Sequence, residues 1–194
     1  MPLTKVTNKA YLANLVSLAP TILAEYKATL ETTARSKPKD ADGWKLVEIM
    51  RNKNLLPNAE QIPTLKTFIE NLPDNVYPVM VTISASEGTV LQDKLIHNEP
   101  YPNSLHRYHI TLQACDYAFI HIQEDNIGWQ TYTWENGFAY EFENPQNNHY
   151  ISHNTASDDR IIIMLDVFED IEPTLKETST HESIIQEWII NVPS

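Results

Sequence analysis

The chain has a single cysteine, Cys115, in 194 residues. One thiol makes no intramolecular disulfide, so a hydrophobic core must hold the fold, and the composition suits a reducing compartment. Apolar runs long enough to span a bilayer are also lacking, and the N-terminus MPLTKVTNKAYLANLVSLAP has no continuous apolar segment of the secretory kind. A soluble, cytoplasmic protein is the expectation. Positive charge is the third scarcity. Through residue 60, nine Lys and Arg face six Asp and Glu, whereas the remaining 134 residues hold five basic and twenty acidic side chains. With a formal net charge of -12, such a surface neutralises few phosphates, which argues against nucleic acid and anionic membrane as partners. The same scarcity makes Arg107 and Arg160 conspicuous, since the late region otherwise carries only Lys66, Lys94 and Lys176.

From Ala10 to about Arg35, Tyr11, Leu12, Leu15, Leu18, Ile22, Leu23, Tyr26 and Leu30 recur at helical spacing. Pro20 removes a donor in the middle of that run, which predicts two short helices. The segment SKPKDADG reads as a loop, WKLVEIM as a strand, and PTLKTFIENLP as a helix with a proline at each end. Beyond Pro73 come VYPVMVTIS, TVLQDKLIH, HRYHITLQA, YAFIHIQ, WQTYTW, FAYEFE and RIIIMLDVF, separated by turn residues. Short strands at regular intervals indicate an all-β sandwich or barrel rather than βαβ units. The tail HESIIQEWIINV returns to helical spacing. Repeats and low-complexity segments are lacking, so one domain is expected.

Three groups of residues carry chemical potential. In IHNEP, His97 and Glu99 lie two apart, so on a strand both project from one face and can grip one ion. In HRYHITLQ, the residues Arg107, His109 and Thr111 share a face opposite Tyr108, Ile110 and Leu112. That polar face either meets water or lines a pocket. In NNHYISHNTASDDRIIIMLDVF, His149 and His153 lie in a polar, turn-rich run, and Arg160 opens a strand apolar on both faces. A buried guanidinium needs an anionic partner. Asp166 is the internal candidate, and a ligand carboxylate is the external one. Two histidines and a carboxylate form the facial triad of non-haem iron oxygenases, and a neighbouring arginine suits a dicarboxylate co-substrate.

In that order and spacing the chain resembles the aspartyl/asparaginyl β-hydroxylase family of iron(II)/2-oxoglutarate-dependent oxygenases. The likeness is carried, over residues 43 to 168, by PTLKTFIENLP, SEGTVLQDKLIHNEP, RYHITL, WENGFAYEFENPQNNHYISHN and DDRIIIMLDVF. Membership implies a double-stranded β-helix, the cupin-like jelly roll. Residues 1–42 would then form a helical extension packed on the barrel, and 169–194 a tail with a helix. By position the resemblance implies His97, Glu99 and His149 as iron ligands, with His153 a rival second histidine. It implies His109 and Arg160 as 2-oxoglutarate-binding residues, Arg107 as a substrate- or co-substrate-facing residue, and Ser84 near the co-substrate. Trp134 and Gly137 match structural positions.

The resemblance further implies hydroxylation of an unactivated C–H bond in an amino acid or peptidyl residue, with dioxygen as oxidant. The competing class is a non-catalytic jelly-roll binding or interaction module, because a fold alone does not guarantee activity. A cupin isomerase or sugar-binding protein is a third reading, and it would have no use for Arg160.

Overall fold

The computed structural model describes residues 3–30, 35–36, 44–86, 91–92, 105–143, 147–153 and 159–170. His97 and Glu99, the C-terminal helix read from HESIIQEWIINV, and most of TVLQDKLIH lie outside these residues.

The chain begins with β1 (Leu3–Val6) and α1 (Ala10–Thr29). The strands β2 (Arg35–Ser36), β3 (Trp44–Arg51) and β4 (Asn54–Leu55) follow, then a 3-10 turn and α2 (Pro63–Glu70). Eight strands complete the described chain: β5 (Val76–Ser86), β6 (Leu91–Gln92), β7 (Leu105–Gln113), β8 (Ala118–Glu124), β9 (Gly128–Tyr132), β10 (Ala139–Phe142), β11 (His149–His153) and β12 (Arg160–Glu169).

Their pairing identifies the architecture. Strand β5 pairs with β12, β6 with β11, β7 with β10 and β8 with β9, all antiparallel. Nested pairs of this kind are one long hairpin folded over twice. The cross-pairs β12 with β7 and β11 with β8 then close two facing sheets. The larger has the order β1-β10-β7-β12-β5-β3-β2 with β4 beside β3, and the smaller runs β6-β11-β8-β9. This is the double-stranded β-helix expected from the resemblance.

Strict alternation sorts the larger sheet into two chemistries. Tyr108, Ile110 and Leu112 of β7, Ile161, Ile163 and Leu165 of β12, and Val81, Ile83 and Ala85 of β5 pack into one cluster with the helices. Helix α1 meets them with Leu12, Leu15, Ala19, Ile22 and Tyr26, spaced by alternating threes and fours along one stripe. Each fully buried Leu or Ile there contributes about 1.5–3 kcal/mol. That stripe explains why α1 is one continuous helix and not the two expected: Pro20 lies inside it but on its exposed side. The carbonyl deprived of its partner can be hydrated, and burial of the opposite stripe offsets the proline's cost.

The N-terminal extension is not wholly helical. Strand β1 adds to the edge of the larger sheet, with Leu3 opposite Phe142. A register shift between Asp166 and Val167 skips Val79 beside Pro78 of β5, where a proline could not have donated to the ladder.

Candidate functional site

The opposite face of the larger sheet is polar although it is buried. Thr82, Ser84 and Ser86 of β5, Arg160 and Asp166 of β12, and Arg107, His109 and Thr111 of β7 are all buried. Among the described residues, the only other buried polar side chains are His149 and His153 of β11, on the sheet opposite. Strand alternation therefore places every one of these groups in the layer between the two sheets. An interior this polar is costly unless its groups are paired or meet a ligand.

Arg107 and Asp166 solve that problem for each other. They are Cα partners across β7 and β12, and Nε and an Nη nitrogen of Arg107 donate to the two carboxylate oxygens of Asp166 at 2.9 Å each. With relative exposures of 4% and 0%, this is a buried two-point ion pair. Asp166 is thus the partner of Arg107, not of Arg160. On the extended strand Arg160 and Asp166 are six residues apart, roughly 20 Å, which puts them out of reach of each other.

Arg160 sits at the other end of the layer and is fully buried. Its Nε donates to Ser86 Oγ at 3.2 Å, and its guanidinium lies over the Trp134 ring at 4.5 Å. Burial lowers its pKa to about 9, with Cys115 acting in the opposite sense, so it is a cation at neutral pH. Trp134 also donates from Nε1 to His109 Nδ1 at 3.3 Å. Burial first, then the positive charges of Arg107 and Arg160 and the neighbouring His149, hold His109 well below its ordinary pKa. A neutral ring that accepts at Nδ1 carries its proton on Nε2. His109 is therefore a donor toward an anion.

His149 and His153 are not on a turn. Both belong to β11, face inward with Ile151, and are buried. His149 Nδ1 lies 2.8 Å from the carbonyl of Asn147, an acceptor only, so Nδ1 carries the proton and Nε2 the lone pair. A histidine that binds a metal through Nε2 uses this tautomer. Phe142 packs edge-on against the same ring, with centroids 4.9 Å apart. His153 is held on both sides of its ring. Its Nδ1 is 3.1 Å from Ser86 Oγ and its Nε2 is 3.2 Å from Cys115 Sγ.

Two hydroxyls in the layer complete the description. Ser84 Oγ and Thr111 Oγ1 are buried and make no hydrogen bond among the described residues. They flank Ile162, which is the Cα partner of both, two residues along the inner face of β12 from Arg160. A cation, a neutral histidine donor and two buried hydroxyls thus occupy one stretch of the interior. Their chemistry fits a carboxylate-bearing co-substrate, and the His149 tautomer fits a metal. Among the described residues no three His, Cys, Asp or Glu side chains gather as a metal-binding group.

The family model for aspartyl/asparaginyl beta-hydroxylase matches residues 17–170. The chain belongs to that family. It is accordingly an iron(II)/2-oxoglutarate-dependent oxygenase, with those two groups as its cofactors. Solved structures agree on the fold. A prolyl-4-hydroxylase from Pseudomonas putida aligns with a TM-score of 0.50 at 9% identity, covering 88% of this chain and 94% of its own. EctD from S. alaskensis, solved with 2-oxoglutarate and 5-hydroxyectoine, gives 0.51 at 12% identity, covering 87% and 72%. The non-haem carbocyclase SnoK from nogalamycin biosynthesis gives 0.51 at 9%, covering 86% and 78%. Curated protein sequences give no match.

The sequence pattern missed Trp134 as a site residue and gave Cys115 no role there. The WENG motif offered a signal for Trp134, but its double contact with Arg160 and His109 depends on two strands far away in the chain.

Proposed function

We propose that this protein hydroxylates an unactivated C–H bond of an amino acid or peptidyl residue, using His149, His97 and Glu99 for iron(II) and Arg160 with His109 for the far carboxylate of 2-oxoglutarate. The observation that carries the assignment is the buried Arg160 sharing an interior face with the Ser84 and Thr111 hydroxyls, which make no hydrogen bond among the described residues. A jelly roll that only bound a partner on its surface would gain nothing from that layer, since apolar residues of equal size pack there at lower cost.

Each side chain has a task in this reading. Arg160 supplies the charge, and its contact with Trp134 holds the plane of the guanidinium. His109 donates from Nε2, and remains a donor without adding a charge because its surroundings keep it neutral. Ser84 and Thr111 exchange buried, unsatisfied oxygens for hydrogen bonds to the bound acid. His149 presents Nε2, oriented by the Asn147 carbonyl. His153 has both ring nitrogens engaged, with Ser86 and Cys115. Arg107, neutralised by Asp166, serves the framework and not the co-substrate. When bound, iron(II) and 2-oxoglutarate supply the oxidising power, drawn from dioxygen, that no side chain can provide.

Anaerobic titration with iron(II) and 2-oxoglutarate tests the reading. Wild-type protein should develop the weak visible metal-to-ligand charge-transfer band of a 2-oxo acid bound to iron. His149→Ala should abolish it, and Arg160→Ala should shift its onset to much higher 2-oxoglutarate. A folded wild-type protein without the band would overturn the assignment.

A further inference from the structure

Arg160 is the last member of a chain of four buried groups drawn from four separate places in the fold. Cys115 Sγ, just past β7, is 3.2 Å from His153 Nε2 on β11. His153 Nδ1 is 3.1 Å from Ser86 Oγ at the end of β5, and Ser86 Oγ is 3.2 Å from Arg160 Nε at the start of β12. Cys115, His153, Ser86 and Arg160 are each at least nine-tenths buried.

The chemistry of the groups permits a one-way order of protons. Arginine can only donate, so Ser86 Oγ accepts from Arg160 Nε. With the Ser86 hydroxyl proton directed to His153 Nδ1, the neutral imidazole carries its proton on Nε2 and donates it to Cys115 Sγ. In this arrangement each link uses one donor and one acceptor. It runs in one direction, from guanidinium to sulfur.

Resting on the assignment of Arg160 to the 2-oxoglutarate carboxylate, we propose that Cys115 and His153 are positioning residues that hold Arg160, through Ser86, in the orientation that receives the co-substrate. The Trp134 contact sets the plane of the guanidinium, but a stacked guanidinium can still turn within that plane. The Ser86 bond stops that rotation by holding the Nε side, so that a carboxylate is met by the Nη nitrogens. Ser86 is a short side chain on a rigid strand, and its hydroxyl can rotate. His153 sets the hydroxyl, and Cys115 sets the tautomer of His153. The sulfur is therefore the far anchor of a device that acts about three hydrogen bonds away.

Paired ligands separate this role from general structural support. Isothermal titration under nitrogen, with iron(II)-loaded full-length protein, compares 2-oxoglutarate with 2-oxobutanoate, which chelates in the same way but lacks the distal carboxylate. Cys115→Ala should weaken 2-oxoglutarate about five- to tenfold, the scale of one misdirected hydrogen bond, and leave 2-oxobutanoate within about twofold. Cys115→Ser, which keeps an acceptor at the position, should restore most of the loss. His153→Asn retains an amide where Nδ1 was but cannot reach the sulfur, so it should match Cys115→Ala. Equal weakening of both acids, or none, would overturn the relay while wild-type preference for 2-oxoglutarate kept the Arg160 assignment. A wild type that binds the two acids alike would overturn that assignment and the relay with it. Loss of iron from His153→Asn but not from His149→Ala would also refute the relay, by making His153 the ligand.

Discussion

Asp166→Asn removes one charge from a buried pair and leaves the other in place. Arg107 donates to both carboxylate oxygens at 2.9 Å, and both residues are almost fully excluded from water. Asparagine keeps the shape but offers one oxygen and turns an NH2 group toward the second guanidinium nitrogen. Breaking this buried two-point pair should cost about 3–5 kcal/mol. For a chain of 194 residues that is a fall in Tm of roughly 6–20 °C, and it consumes about a fifth or more of an ordinary domain's stability. Urea unfolding followed by circular dichroism would measure it, with an unchanged m-value showing that stability and not compactness had altered. The double variant Arg107→Met/Asp166→Leu should recover most of the loss, because well-packed apolar residues replace a buried pair at little net cost. It should also bind 2-oxoglutarate nearly as well as wild type. A cost under about 1 kcal/mol for Asp166→Asn would show that the pair is not a buried two-point ion pair, and loss of 2-oxoglutarate binding by the stable double variant would make Arg107 a ligand-binding residue.

Other consequences can be checked separately. Pro20→Ala should stabilise the protein by about 1–3 kcal/mol, because it restores a donor on the exposed side of a helix that is already continuous; destabilisation in urea would show that the proline shapes α1. Arg160→Lys should bind 2-oxoglutarate at least tenfold more weakly by calorimetry, since an ammonium cannot present two parallel donors; unchanged affinity would mean that charge alone suffices. Near α1, Glu169 accepts from Lys9, Tyr11 and Tyr108, while His106 bonds Glu141 at 2.8 Å. Burial alone would raise Glu169, but Lys9 and Tyr11 outweigh it and hold the carboxylate below its ordinary value. Its contribution is present above the unfolded carboxylate pKa of about 4.3 and is lost as pH falls through the lower folded value. His106 is raised by its bond to Glu141, so its contribution is complete below about pH 6.5 and fades as pH rises through the folded value. Stability against pH should therefore decline on the alkaline side, and His106→Gln should flatten that limb; an unchanged alkaline limb counts against the pairing.

The fold was largely legible because strands repeat every two residues. HRYHITLQ displays its two faces without any partner, and the structure places Arg107, His109 and Thr111 inside while Tyr108, Ile110 and Leu112 meet the helix layer. Strand β11 was not legible. HYISH is short and has polar residues at both ends, so its local pattern resembles a turn, and only pairing with β6 and β8 makes it extended. Pro20 misled for a related reason: local propensity disfavours a proline inside a helix, while the buried stripe on the opposite side outweighs it.

By itself the sequence determined which side chains could share a surface, through the alternation of its strands and the spacing of its helices, together with the scarcity of cations that singled out two arginines. Only the tertiary structure decided which of those side chains meet. Arg107 finds Asp166 across 59 residues, Cys115 finds His153 across 38, and Arg160 finds Ser86 across 74. Such contacts depend on strand order and register, and a one-residue slip would turn each inward group to the opposite face of its sheet.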